Sequence, residues 1–218
     1  MSARHDWSRI PAPSVLAAGV AFQTAVFAAC GLPPRHDPEP TLVAYDDGGG
    51  SSLALDLGTG SPVLVLVDHD ERDGLLTPDA VRAALGPTAL TGPYARDDSG
   101  FAYTGAARWN GSRWAPALGV PGRVTAYLAD EGHQLTEADQ ALGDRTEGAS
   151  DEAALAALLD ALRAGDWDEG VVEAALRCTP YQDGGEPAGE PDGSAARAVL
   201  EGFRPVLRRA RGLGAENT

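Results

Sequence analysis

The chain has 218 residues, 43% of them hydrophobic and 22% charged, enough for one domain with a substantial core or a domain with an appendage. All 17 basic residues are Arg, and 32 Asp and Glu set against them leave a net charge of −15. Such a surplus argues against a nucleic-acid backbone or an anionic membrane surface as partner, because both carry the same sign.

Val15 to Leu32 is the first apolar stretch. Ser14 reads as its N-cap, with Pro11 and Pro13 before it and Gly31, Pro33 and Pro34 beyond, which predicts a buried amphipathic helix. Because Arg4 and Arg9 precede it and it ends in Phe27-Ala28-Ala29-Cys30, a lipoprotein export signal is the competing reading. Gln23 and Thr24 interrupt the stretch and Asp6 precedes it, which favours the helix.

Thr41 to Tyr45 predicts a short strand, and Asp46-Asp47-Gly48-Gly49-Gly50 a turn. Ser51 to Leu57 and Pro62 to Val67 predict a hairpin around Gly58-Thr59-Gly60-Ser61. Val63 to Val67 has no polar face, so it belongs in the middle of a sheet covered on both sides. Thr77 as cap, Pro78 and Asp79 open a short helix to Leu85, closed by Gly86-Pro87. Phe101-Ala102-Tyr103 with Arg108-Trp109, then Arg113-Trp114-Ala115, predict a second hairpin with Asn110-Gly111 as a type I′ corner. Val124 to Leu128 fits either a strand or a helical turn.

From Asp130 to Asp192 there are 17 acids against Arg145, Arg163 and Arg177, a net of −14. Ser150-Asp151-Glu152 opens a helix to Arg163 with Leu155, Leu158, Leu159 and Leu162 on one face. Gly165-Asp166 ends it, and Asp168 to Arg177 completes an αα-hairpin with Trp167 as a staple at the turn. Tyr181 to Gly193 reads as a loop. Ala195 to Arg211, with five Arg against Glu201, is a last helix whose basic end complements its dipole. These elements predict an α+β fold: a mostly antiparallel central sheet with an N-terminal helix in residues 1–129, an acidic helical region in 130–211, and a disordered tail in 212–218.

Cys30 and Cys178 are too few for a disulfide framework or a four-Cys zinc site and read as reduced thiols of a cytoplasmic protein. No catalytic serine elbow, zincin pair, dinucleotide fingerprint or P-loop occurs. Leu53 to Ser61 resembles the first phosphate-binding hairpin of the sugar-kinase, actin and chaperone ATPase superfamily, with Asp56 in the metal-shell position. The chain downstream is too short for that superfamily's two duplicated subdomains, so Gly58 and Gly60 read as serving a plain turn. Asp68-His69-Asp70-Glu71 lies where a strand end presents a metal or acid/base pair, but His5, His36 and His133 offer no ligand spacing to complete a site, so it reads first as a solvated strand end, then as a partner contact and last as a metal or catalytic site.

The order helix, strand, Asp-Asp-Gly-Gly-Gly, Leu-Ala-Leu-Asp-Leu, glycine turn, apolar strand and Asp-His-Asp-Glu resembles the central segment of the SUKH superfamily, across roughly Pro40 to Asp73. That superfamily comprises α+β proteins related to the yeast cell-wall-synthesis regulator and includes many bacterial toxin-immunity proteins. Gly48 to Gly50, Leu55-Asp56 and Asp68-His69-Asp70 carry the likeness, and Leu66-Val67 departs from the aromatic the superfamily places before the acidic turn. The resemblance implies a binding protein without catalytic residues or cofactors, whose acidic surface occludes a toxin. The expectation is therefore a non-enzymatic acidic protein that meets a basic protein partner through Asp46, Asp47, Asp68, His69, Asp70, Glu71, Trp109 and Trp114, although the two tryptophans, flanking a hairpin turn, read first as cover for one end of the core. The alternatives are a small metal- or nucleotide-dependent enzyme using Asp56 and the Asp68-His69-Asp70 turn, and an exported lipoprotein acylated at Cys30.

Overall fold

Alternation decides the sheet. In Ser52-Leu53-Ala54-Leu55-Asp56 and Val63-Leu64-Val65-Leu66-Val67 successive side chains point to opposite faces, and both faces of the second run are apolar. A computed structural model describes residues 6–32, 39–58, 60–71, 75–86, 103–182 and 187–215. Within them β1 (Leu42–Asp46), β2 (Ser52–Asp56), β3 (Val63–Val67), β4 (Gly105–Trp109) and β5 (Trp114–Gly119) form an antiparallel meander in that order. Leu53 stands opposite Leu66 and Leu55 opposite Leu64, which puts the leucines on one face, in the main core. Val63 and Val65 on the other face join Tyr103 and Ala106 beneath Val81 and Leu85 of α2 (Pro78–Leu85). The middle strand is thus covered on both sides, as its lack of a polar face predicts.

The second hairpin forms with a different corner. The Asn110 amide donates to the Arg113 carbonyl at 3.1 Å, so Gly111-Ser112 is the central pair, and only Gly111 has a positive φ, +99°. A type I′ turn needs positive φ at both central residues. The expected Asn-Gly corner is therefore not made: Asn110 sits before the turn, and its Oδ1 accepts from the amides of Ser112 and Arg113 at 3.1 and 3.0 Å. Phe101, Ala102 and Pro87 lie outside the described residues.

α1 (Pro13–Ala29) begins one residue before the expected Ser14 cap. Ala12 holds the cap position without a side-chain bond, and Pro13 supplies the preset φ of a first helical residue. Nor is the helix amphipathic. Every residue from Leu16 to Gln23 is buried, two full turns, so it is enclosed on all sides. It packs against α3 (Arg123–Ala129), α4 (Glu131–Thr146), α5 (Glu152–Ala164) and, most extensively among the described residues, α7 (Gly193–Ala215). The polar interruption is met in part from within: Gln23 donates to the Gln134 carbonyl at 2.9 Å and Gln134 to that of Leu128 at 2.6 Å, while the Oε1 atom of each is buried without a hydrogen-bond donor among the described residues. Among the described residues no helix is long and apolar enough to cross a membrane.

The stretch that fitted strand or helix is the helix α3, and α4 follows it where no element was expected. Asp151 caps α5 by accepting from Ala153 and Ala154, Gly165 closes it at φ +66°, and Asp168 caps α6 (Glu169–Ala175), which completes the expected αα-hairpin. Trp167 is buried at that turn, and the Arg204 guanidinium of α7 lies 4.2 Å from its ring centre, stapling the hairpin to the last helix. β6 (Gly148–Ser150) and β7 (Cys178–Pro180) add a small antiparallel pair that was not anticipated.

α7 is longer at both ends than Ala195 to Arg211. Residues 212–215, expected in a disordered tail, are helical, and the last three lie outside the described residues. Its arginines bind the carbonyls of other elements: Arg209 donates to Leu57 and Gly58 in the β2–β3 turn, and Arg211 to Ala164 at the end of α5. Residues 187–193 of the expected loop return to the helices, with Gly189 donating to Arg145 at 3.2 Å and Asp192 to Ala29 at 2.8 Å. The fold is α+β, with seven α-helices and a five-stranded antiparallel sheet among the described residues. One core runs from Trp7 to Ala210 and draws on both the 1–129 and the 130–211 segments.

Candidate functional site

In a meander, alternate turns fall at the same end of the sheet. The β1–β2 turn and the end of β3 therefore meet, and this gathers Asp46, Asp47, Asp68, His69, Asp70 and Glu71 along one rim. The two segments touch: the His69 amide donates to Ser51 Oγ at 3.4 Å, and Gly50, at φ +97°, leaves room for the His69 side chain.

Most of these carboxylates fix backbone. Asp46 Oδ1 accepts from the Gly48 amide at 2.7 Å, and Asp47 Oδ1 from Gly49 and Ser51 at 2.7 and 2.9 Å, so the turn is folded around its own acids. Asp68 is only 7% exposed. Its two oxygens accept from the amides of Asp70, at 3.0 Å, and of Arg123, at 2.8 Å, which ties the end of β3 to the first residue of α3. Asp70 pairs with the Arg123 guanidinium through one oxygen and lies 3.2 Å from His69 Nε2 through the other. His69 and Asp70 are exposed, and Glu71 is half-buried with its amide donated to the Asp68 carbonyl at 3.1 Å. Arg123 escaped the sequence reading because it is remote from the acidic turn in the chain. Nothing short of the β3–α3 contact reveals it.

Asp68, His69 and Asp70 bring one potential ligand atom each within 4.8 Å of one another, the one such cluster of His, Cys and acids among the described residues. A divalent cation there would share Asp70 with the Arg123 guanidinium, whose positive charge on the other carboxylate oxygen opposes it. Asp56 stands apart from this rim, at the other end of β2. It is buried, its Oδ1 accepts from the Gly58 amide at 2.7 Å, and the neighbouring carbonyls of Leu57 and Gly58 receive Arg209. That turn presents carbonyls to a cation, whereas a phosphate cradle presents amides to an anion.

Trp109 and Trp114 lie with the β2–β3 turn at the opposite end of the sheet from the acidic rim. They are 8% and 2% exposed, packed edge to face with ring centres 5.3 Å apart, and Trp114 Nε1 donates to the Pro11 carbonyl at 2.7 Å. Both belong to the core, so the structure does not place them as surface anchors.

A second feature went unread in the sequence. A cleft of about 690 Å³ opens where β7 meets residues 187–194, walled by Leu176, Cys178, Pro180, Pro191 and Arg197. Cys30 ends α1 in the core, and burial first, then the nearby Cys178 thiol, push its own thiol up to about 11.

No family model matches the chain, and neither a curated protein nor a solved structure matches it. Function has to be read from the site itself.

Proposed function

We propose that this is an acidic binding protein that acts by contact, docking a basic protein partner on the rim formed by Asp46, Asp47, Asp70 and Glu71. The observation that carries the reading is the union of two separate acidic turns on one sheet end, with the Asp46 and Asp47 side chains pinned to backbone amides and Asp70 held by Arg123. Carboxylates already fixed in place lose little freedom on docking, and their summed field speeds encounter with a cation-rich surface. Asp68 is the internal anchor of the rim, and His69 sits exposed beside it. The exposed acids of α4, α5 and α6, among them Glu131, Asp139, Asp160 and Glu173, extend the same sign across the helical side. The likeness of Pro40 to Asp73 to SUKH proteins makes a toxin the natural basic partner.

The test begins with crosslinking of the intact chain in extracts of the cells that make it. Stopped-flow association of the purified partner then follows, with the wild type and with a double variant carrying Asp70→Asn and Glu71→Gln. A charge pair at about 8 Å in water is worth roughly 0.5 kcal/mol, so losing two charges slows association about fivefold at low salt. The difference shrinks as salt rises past about 0.3 M. Equal rates for the two proteins, or association indifferent to salt, would remove the rim from the function.

A further inference from the structure

An aromatic step stands at the junction of α3 and α4. Tyr127 and His133 stack with ring centres 4.5 Å apart and planes 28° from parallel. The imidazole is half-buried and covers one face of the tyrosine ring, yet Tyr127 keeps 37% of its surface open to water. Both rings are held by their backbone: the His133 amide donates at 3.2 Å to Asp130, the residue that ends α3 and caps α4.

The step adjoins the acidic rim. Arg123 and Tyr127 stand four residues apart in α3, so they are neighbours on one face of the helix, a turn from each other. Arg123 is the residue that pairs with Asp70 and gives its amide to Asp68. Acids border the rings as well: exposed Asp130 follows Tyr127 by three residues, and half-buried Glu137 follows His133 by one turn of α4. An aromatic surface edged by carboxylates suits a guanidinium, which lies flat on a ring while its N–H fork reaches an acid. An ammonium is a more strongly hydrated point charge and gains less there. A tyrosine already stacked on a neighbour loses little freedom when a partner covers it, which is the character of an interface hot spot.

Resting on the reading of the rim as a docking surface, we propose that the Tyr127–His133 stack is its anchor and takes an arginine of the basic partner, with the guanidinium on the Tyr127 ring and Asp130 accepting its N–H groups. The rim carboxylates then set the rate of encounter, and the aromatic step sets how long the complex lasts.

The full chain is titrated at low salt with two short Gly-Ser peptides of equal length and charge, one bearing arginines and the other lysines, and followed by calorimetry and NMR. The arginine peptide should bind about threefold more tightly or better. Its side-chain methylene resonances should move upfield in the tyrosine ring current, and the ring signals of Tyr127 and His133 should shift with them. Tyr127→Leu should bring the two peptides to equal affinity, whereas Tyr127→Phe should keep the preference. The double variant with Asp70→Asn and Glu71→Gln should weaken both peptides alike and leave their ratio intact. The wild-type spectra decide alone if a variant fails to fold. Equal affinities in the wild type, an arginine preference that survives Tyr127→Leu, or Tyr127 and His133 signals unmoved at saturation overturns the anchor and leaves the rim in place. A preference erased by Tyr127→Leu, with affinity untouched by the rim double variant, supports the arginine site and removes the rim instead.

Discussion

Asp68 separates the acids that build the rim from those that only display charge, and Asp68→Asn tests the separation. The asparagine keeps the size of the side chain and one acceptor oxygen. Its amide nitrogen must then face either the Asp70 or the Arg123 amide, donor against donor, at a position only 7% exposed. A hydrogen bond to a charged group is worth about 1.5–3 kcal/mol, and the buried amide left without an acceptor adds to the loss. The variant should therefore be less stable by about 2–3 kcal/mol, a drop in thermal midpoint of roughly 4–12 °C for a chain of this size. Glu71→Gln, on a side chain with no such duty, should stay within about 0.5 kcal/mol. Urea unfolding of both variants gives the energies, and amide exchange locates the damage: Asp70 and Arg123 should lose protection ahead of the sheet. If Asp68→Asn melts within about 1 °C of the wild type, the carboxylate is not what joins β3 to α3, and the account of the rim fails with it.

Two further outcomes follow from the same geometry. Manganese or zinc at millimolar concentration should leave the thermal midpoint of the wild type unchanged, because the Arg123 guanidinium already neutralises Asp70 and repels a second cation; Arg123→Ala removes that charge and should acquire a metal-dependent rise of about 2 °C or more. A rise already present in the wild type would instead favour a metal-dependent enzyme. At acid pH the start of α7 should fray. The Ser194 hydroxyl and then the Ala195 amide hold the Asp192 carboxyl below its ordinary value of 3.8. A lowered carboxyl stabilises the fold above its unfolded value, and that contribution disappears as pH falls through the folded one. Exchange protection at Ser194 to Ala196 should therefore decline below pH 3.8, and unchanged protection down to about pH 2 would refute the cap.

Much of the sheet was legible because β2 and β3 are apolar at period two and bounded by glycine turns, and the caps Thr77, Asp151 and Asp168 stand where their helices begin. α4 was not. Its buried face is Gln134, Leu135, Ala138 and Leu142 in an otherwise polar run, too thin a stripe to stand out from an acidic surface. β6 and β7, three residues each, carry no periodicity at all. In α1 the apolar composition predicted burial, but the number of faces covered depends on α7, which lies at the other end of the chain. The acidic rim could be anticipated from the order of turns in a meander. The commitment of Asp68 to an α3 amide is a tertiary fact, set by which elements pack together, whereas the core reading of both tryptophans was open from their place beside a hairpin turn.

The all-round burial of α1 carries a cost during synthesis. α1 is translated ahead of α3, α4, α5 and α7, and its most extensive partner, α7, follows the other three, so one side of an apolar rod stays uncovered until α7 has been made. A nascent chain stalled before residue 193 would keep that surface bare, which makes the arrival of α7 the step that removes a sticky patch.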